Sequence, residues 1–78
     1  LVMKFGYVLC DPKRSRILGW KGKTDVQMLS LNDKQNLDNA VCLKDQTAIK
    51  NLYIRLKKDK RVSNLDIVNI QELYKSEG

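Results

Sequence analysis

Helical spacing of apolar residues is clearest between Asp45 and Arg61. The apolar positions recur at steps of one, three and four residues, which places them on one side of a 3.6-residue helix. They are Ala48, Ile49, Leu52, Tyr53 and Leu56. Asp45 suits the N-cap, and cations crowd the C-terminal turn, where the helix dipole favours them. The pattern predicts an amphipathic helix over residues 45–61.

Alternation of large apolar residues predicts a first strand from Met3 to Asp11. One face of this strand would be apolar throughout, and we assign Phe5 and Tyr7 on that face to the core. Gly6 lies on the opposite face and indicates a bulge or a close approach of another backbone.

Two further short strands follow, separated by turn residues. Asp11-Pro12 opens a turn, because proline presets φ at the second turn position. The next apolar runs are Ile17–Trp20 and Val26–Leu31, with a glycine-containing turn over residues 21–25 between them. This spacing predicts a β-hairpin and a weaker third strand.

The stretch before the predicted helix is polar and then apolar. Asn32–Asn39 predicts a surface loop, or one irregular helical turn capped by Asn32 or Asp33. Ala40–Leu43 predicts a strand that runs directly into the helix.

The segment Leu65–Glu72 follows the helix and favours a last strand, because it is rich in β-branched residues. A short helix capped by Asn64 is the alternative, and residues 75–78 are expected to fray. The element order is then β-β-β-(β)-α-β. It predicts a single small α+β domain over residues 1–78, with an antiparallel sheet and one amphipathic helix packed on one face.

Composition narrows the class of protein. With 78 residues and 42% hydrophobic content, the chain can bury one modest core, and its charged residues (31%) are of mixed sign, as in globular proteins. No apolar run approaches the roughly 18 residues that span a bilayer, and no secretory signal is recognised. We therefore expect a cytoplasmic protein without a membrane partner. Leu1 and Val2 precede Met3, which we interpret as the native start.

Positive charge is concentrated in two segments. Residues 13–23 carry five cations and no acid, and residues 50–61 carry six cations and one acid, Asp59. Each segment has a net charge of +5, so the rest of the chain carries −4 of the total +6. Segregated positive charge is expected of a surface that faces a polyanion.

Four features along the chain together resemble a known group of proteins. They are an aromatic first strand, the Ile17-Leu18-Gly19-Trp20 strand, the Ala40–Leu43 run before an amphipathic helix, and a closing strand rich in isoleucine and valine. This pattern resembles small orphan accessory proteins of bacteriophages and other mobile elements of Gram-positive bacteria. The resemblance implies a compact intracellular binding protein, in some cases an inhibitor of a host defence system. It carries over no functional residues.

The residue types argue against catalysis and metal binding. The chain has no histidine, which excludes Ser-His-Asp, Cys-His and histidine–metal sites, and its nine acids are scattered singly. Cys10 and Cys42 cannot supply the four ligands of a normal zinc site, and buried free thiols are favoured over a disulfide between neighbouring strands. Gly22-Lys23 lacks the spacing of a phosphate-binding loop. We expect a non-enzymatic protein without a metal or cofactor.

The basic face of the predicted helix is the strongest functional lead. Lys50, Ile54, Lys57 and Arg61 share one stripe opposite the apolar side of the helix. The stripe is interpreted either as a solvated surface or as a contact face. In a contact face, the cations would meet phosphates or acidic side chains, and Ile54 would anchor the partner.

The hairpin region supplies the other candidates. They are Lys13, Arg14, Arg16, Trp20, Lys21 and Lys23. The cations of the first turn can reach phosphates, or they can simply keep the hairpin soluble. Trp20, close to Lys21 and Lys23 in the sequence, is either a base-stacking residue or a core residue.

Three functions remain open on these residues. The first is a nucleic-acid-binding module that contacts mainly phosphates. The second is a protein-interaction module or inhibitor that presents the same basic surface to an acidic protein site. The third is a homodimer formed through an exposed strand edge.

Overall fold

The structure, a computed structural model, describes residues 3–60, 62 and 64–75. Its strands are β1 (Tyr7–Cys10), β2 (Arg16–Lys21), β3 (Asp25–Ser30) and β4 (Asp66–Asn69). Its helices are a 3₁₀-helix (Lys34–Asn39), α1 (Gln46–Leu56) and α2 (Ile70–Lys75). The strands form one antiparallel sheet in the order β3-β2-β1-β4, which confirms the predicted α+β class. None of these helices is long and apolar enough to cross a membrane.

β1 and β2 are neighbours, yet they pair at a single position near the turn that joins them. Beyond it, the segment 40–43 hydrogen bonds to both strands. The Val41 N–H donates to Leu18 O at 3.0 Å, while Leu43 and Tyr7 exchange two bonds of 2.7 and 3.0 Å. The prediction of a strand at 40–43 is therefore wrong. The segment makes isolated bridges, because each of its ends pairs with a different neighbour.

Gly6 allows this junction. Its φ of +130° favours glycine, and a Cβ at this position would collide with the Leu43 carbonyl oxygen. The predicted close backbone approach is confirmed. The same backbone turn ends the alternation expected from Met3, so β1 begins only at Tyr7. Met3 and Phe5 are exposed, and the assignment of Phe5 to the core is wrong.

Hydrophobic side chains cover both faces of the sheet. On the face under α1, the buried residues are Leu9, Leu18, Val26, Val41, Ile49, Val62 and Leu65. On the other face, which includes residues of the 3₁₀-helix and α2, they are Val8, Cys10, Ile17, Leu31, Leu37, Ala40, Val68, Ile70 and Leu73. The sequence predicts cover on one face only. Successive residues of β1 point to opposite faces of the sheet, and all of them from the second residue on are apolar. Other elements must therefore pack on both faces to bury these side chains.

α1 packs on the sheet as predicted but is shorter than the predicted helix. It ends at Leu56, and Lys57 is the C-cap, so the lysines expected in the last turn follow the helix instead. Ile49 is fully buried, whereas Ala48, predicted for the apolar side, is exposed. A single methyl group loses little by exposure, so alanine cannot orient a helix. Asp45 is the N-cap residue as predicted, although its side chain makes no capping hydrogen bond.

Helical turns replace the predicted loop and part of the predicted last strand. The 3₁₀-helix lies within residues 32–39, and Asp33 caps it by accepting a backbone N–H at 3.0 Å. The side-chain oxygen of Asn69 accepts a backbone N–H of α2 at 3.0 Å, which ends β4 and starts the helix. Only the first half of Leu65–Glu72 is therefore a strand. Of the expected frayed tail, Lys75 belongs to α2, and residues 76–78 lie outside the described ranges.

Candidate nucleic-acid interface

The sheet has two ends with different chemistry. We call the first the basic end; it comprises the β1–β2 turn, residues 11–16, and the segment 57–60 that follows α1. β1 pairs with β4 in a register that places Asp66 beside this turn. The Tyr53 hydroxyl accepts a hydrogen bond of 2.9 Å from the Leu65 N–H. The last turns of α1 therefore lie at the same end of the sheet.

One carboxylate orders the β1–β2 turn. Asp11 accepts hydrogen bonds from the Ser15 N–H (2.7 Å), the Ser15 hydroxyl (2.8 Å) and the Arg16 N–H (2.8 Å). Its carbonyl oxygen also accepts the Arg14 N–H at 3.0 Å, which confirms the predicted turn. Burial alone would raise the pKa of Asp11, but the hydrogen bonds together lower it below its usual value. The turn is thus ordered by the protein's own groups.

Arg14 ties this turn to β4. Its φ of 59° lies in the left-handed region, which costs a residue with a side chain about 1–2 kcal/mol. Its Nη1 donates to Asp11 O and to Asp66 Oδ2, both at 3.0 Å. The hydrogen bond to Asp66 is the largest cause of the raised pKa of Arg14. Arg14 therefore positions the turn, and only its other N–H groups could contact a phosphate.

The cations of the basic end come from two segments far apart in sequence. They are Lys13, Arg14, Arg16, Lys57, Lys58 and Lys60, all of them exposed. The acids within this end are Asp11 and Asp59, and Asp66 of β4 lies beside it, which leaves a net charge of +3. Arg61, which was predicted to join the helix stripe, lies outside the described residues.

The first basic segment of the sequence is divided by β2. This strand is six residues long, or about 20 Å. It separates the cations of the β1–β2 turn from Lys21 and Lys23, which lie at its other end. The two halves of the segment therefore cannot act as one patch.

The outward face of α1 runs between the two ends. Lys50 and Ile54 are exposed on it, Ile54 to 55%, so the predicted apolar residue in a basic face is present. Lys57 follows the helix, with Nζ 5.2 Å from the centre of the Tyr53 ring, a cation–π distance. Between α1 and β4 lies a groove of about 410 Å³, lined by Gln46, Thr47, Lys50 and Ile67.

The opposite end of the sheet, which we call the aromatic end, comprises residues 3–6, 20–23 and 44. Phe5 lies at its surface and is 73% exposed. Beside it is a mainly apolar pocket of about 270 Å³, lined by Phe5, Gly6 and Lys44. This end thus combines an exposed aromatic ring with a lysine.

Trp20 also belongs to the aromatic end. It is 37% exposed, so it is neither a core residue nor a fully solvated one. Its carbonyl oxygen accepts hydrogen bonds from Asn39 Nδ2 at 2.7 Å and from Gln27 Nε2 at 3.0 Å. Lys21 and Lys23 follow it and are exposed. The backbone of Trp20 is therefore fixed, its side chain is partly exposed, and two lysines follow it in the chain.

Sequence reasoning missed Phe5 and Lys44 as surface candidates, and Lys58 and Lys60 as partners of the first turn. The glycine after Phe5 is a signal that could have found it, because a close backbone approach interrupts the alternation of a strand. No comparable signal marks Lys44. It reaches the aromatic end because its neighbour Leu43 bonds to β1.

The two cysteines are free thiols. Cys10 is fully buried, and desolvation raises its pKa to about 11, although the nearby Arg14 charge acts in the opposite direction. Cys42 is half-buried; its thiol donates to Phe5 O at 3.4 Å, and burial raises its pKa as well. Raised pKa values leave few thiolates for nucleophilic attack. In the part of the chain that the structure describes, no acids or cysteines cluster in a way that could hold a metal ion.

Comparison with known proteins finds no relative of this chain. No protein-family model matches the chain, and neither a curated protein nor a solved structure matches it. The functional argument therefore depends on the geometry of the two ends.

Proposed function

We propose that the protein is a non-enzymatic module that binds nucleic acid through phosphate contacts at the basic end. The supporting observation is that cations of residues 13–16 and 57–60, more than 40 positions apart, lie at one end of the sheet. A surface that collects positive charge in this way attracts the phosphate backbone. Such a module would act in the cytoplasm, as expected from the sequence.

The order of the β1–β2 turn supports this proposal. Asp11 and Arg14 hold the backbone on which Lys13 and Arg16 are carried. Less conformational entropy is lost when cations on an ordered turn meet phosphates than when cations on a loose loop do. Arg16 also offers a planar guanidinium, which can bind a phosphate through two parallel hydrogen bonds.

The test is titration with DNA and RNA oligomers, single-stranded and duplex, at about 50 and 200 mM salt. The double variant Lys13→Gln/Arg16→Gln removes two cations from the turn. We expect its affinity at low salt to fall about tenfold, and the slope of log affinity against log salt to become shallower by roughly 2.

Lys75→Gln is the matched control, because Lys75 is an exposed lysine at the end of α2 and is not part of the basic end. Its affinity should stay within about twofold of the unmodified protein. Undetectable binding of every oligomer at low salt would overturn the proposal, and so would an equal loss in the control.

Ile54 favours a second function, which is docking to an acidic protein surface. It is 55% exposed on the basic face of α1. The resemblance to accessory proteins of mobile elements implies a partner of this kind, such as a host protein that the module inhibits. Ile54→Asp should then weaken the complex more than Lys50→Ala does, because a buried apolar anchor carries more binding energy than a charge at the rim. Equal, small effects in co-purification would contradict this function.

A further inference from the structure

Most of the large exposed hydrophobic residues that the structure describes lie at the aromatic end. Within the described ranges there are four of them: Met3, Phe5 and Trp20 lie at this end, and Ile54 lies on α1. Single exposed apolar residues are normal, but a group of them rimmed by charge marks a surface that binds something. Here Lys44 lines the pocket beside Phe5, and Lys21 and Lys23 lie at the same end of the sheet, with the acids Asp25 and Asp45 close to these lysines in the chain.

Phe5 is exposed although its backbone is fixed. Its carbonyl oxygen accepts the Cys42 thiol at 3.4 Å, and the next carbonyl, of Gly6, accepts the Ile70 N–H at 2.9 Å. On its other side, the Lys4 carbonyl accepts a side-chain N–H of α2 at 2.7 Å. The ring is thus presented from an ordered segment. An ordered aromatic platform loses little entropy when a flat ligand stacks on it.

The pocket beside the ring suits one flat group. Its volume of about 270 Å³ lies just below the roughly 300–1,000 Å³ of pockets for drug-sized ligands. Its lining of Phe5, Gly6 and Lys44 offers a ring and a cation. A nucleobase with its phosphate can use both, since the base stacks on the ring and the cation neutralises the phosphate.

We infer that the aromatic end binds an unpaired base of a single-stranded nucleic acid, which stacks on Phe5 while Lys44 contacts an adjacent phosphate. Lys21 and Lys23 add positive charge at the same end, and the exposed face of α1 leads from there to the basic end. An exposed ring beside a lysine complements a base followed by its phosphate, whereas an uncharged apolar partner would give the Lys44 charge nothing to contact.

This inference rests on the proposed function and specifies its ligand. Phosphate contacts alone would accept duplexes and single strands alike, because both carry the same backbone charge groups. Stacking on Phe5 requires an unpaired base that can unstack from its neighbours. A single strand provides such a base and a duplex does not. The aromatic end therefore makes the module selective for single strands.

The experiment compares a labelled single strand of about 16 nucleotides with its duplex by fluorescence anisotropy. Phe5→Leu removes the ring from a highly exposed side chain and keeps it apolar. We expect it to weaken binding of the single strand at least about fivefold and to leave duplex binding unchanged. Lys44→Gln should weaken binding of the single strand less than Phe5→Leu does. It should make the slope of log affinity against log salt shallower by about 1.

Met3→Leu is the matched control. It changes another exposed apolar residue of the same end, 51% exposed, that has no ring to stack. Its affinity for the single strand should stay within about twofold. Trp20 is the only tryptophan, so intrinsic fluorescence reports on this end directly. Quenching by the single strand and not by the duplex supports the inference.

Two results would overturn base stacking at the aromatic end without overturning phosphate binding at the basic end. If Phe5→Leu binds the single strand like the unmodified protein while Lys13→Gln/Arg16→Gln does not, the phosphate contacts stand and the stacking does not. If the protein forms a dimer in sedimentation that Phe5→Leu abolishes, without an effect on oligomer binding, the aromatic end belongs to a second copy of the chain. Failure of every oligomer to bind overturns both proposals together.

Discussion

The β1–β2 turn of the basic end and the aromatic end are ordered by contacts of very different range along the chain. At the basic end, Asp11 bonds to residues four and five positions away. At the aromatic end, Lys4 and Phe5 bond to partners between 34 and 70 positions away. A turn closed by neighbours can be inferred from its own residue types. A surface assembled by distant segments exists only once the whole chain has folded.

The two regions should also differ in how strongly their hydrogen bonds support the fold. The β1–β2 turn can lose the hydrogen bonds of Asp11 while the sheet beyond it remains paired, because these bonds join neighbours in the chain. The backbone under Phe5 is shared with β1, α2 and the segment 40–43, so disturbing it disturbs the core. Changes at the aromatic end should therefore have the larger effects on folding.

The largest effect is expected at Gly6. Gly6→Ala must place a Cβ against the Leu43 carbonyl at a φ of +130°, and should lower the free energy of unfolding by about 3 kcal/mol. Gly22→Ala is the matched control, because Gly22 has a positive φ of +68° but nothing within 4 Å of the added Cβ. It should cost about 1 kcal/mol. Urea denaturation measures both, and equal losses would contradict the role of the close approach.

A loss of about 2 kcal/mol is expected on raising the pH from 9 to 11. Burial raises the pKa of Cys10 from its ordinary value of 9.0 to about 11. In this window, the unfolded chain binds fewer protons than the folded one, so stability falls as the pH rises. Below pH 9 both states keep the thiol proton, and the effect vanishes. Cys10→Ala should flatten the curve of unfolding free energy over this range.

The two thiols also distinguish the ends by their accessibility. Cys10 is fully buried in β1, whereas Cys42 is half-buried behind Phe5. We expect iodoacetamide at pH 8 to label Cys42 well before Cys10, with mass spectrometry as the measurement. Equal labelling rates would mean that β1 opens as readily as the aromatic end.

Asp11→Ala should cost about 1–2 kcal/mol, because it removes the acceptor of three hydrogen bonds in the turn. The pKa of Asp11 is lowered by folding, so its contribution is present above the ordinary carboxyl pKa and is lost as the pH falls through the folded value. Asp11→Ala should remove this acid-dependent part of the stability curve. The variant should also weaken phosphate binding and leave the effect of Phe5→Leu unchanged; loss of both would mean that the two ends are coupled.

The smallest effect is expected for the ion pair between Arg14 and Asp66. Both side chains are well exposed, 42% and 51%, so water screens the pair. Asp66→Asn should therefore change the free energy of unfolding by no more than about 0.5 kcal/mol. Arg14→Gly loses the pair but relieves the left-handed backbone, so its net effect should also be small. A loss above about 1.5 kcal/mol in thermal or urea unfolding would show that the pair does more than position the turn.

Local signals in the sequence determined the class of the fold and several of its elements. The 3.6-residue spacing predicted α1, and the alternation and turn residues predicted β1, β2 and β3, because these patterns follow from backbone geometry alone. Asp33 was correctly weighed as a helix cap and Asp11 as the start of a turn, since both act on their own neighbours. The position of Ile54 in a basic face followed from the same helical geometry.

Only the tertiary structure decided which of these residues meet. The separation of β1 from β2 lets the segment 40–43 bond to both strands, which no local pattern of that segment indicates. The same junction turns Phe5 outward beside Lys44, and the length of β2 divides one basic segment of the sequence between two ends. These outcomes depend on pairings between distant residues, and their free energy is gained only when both partners are already in place.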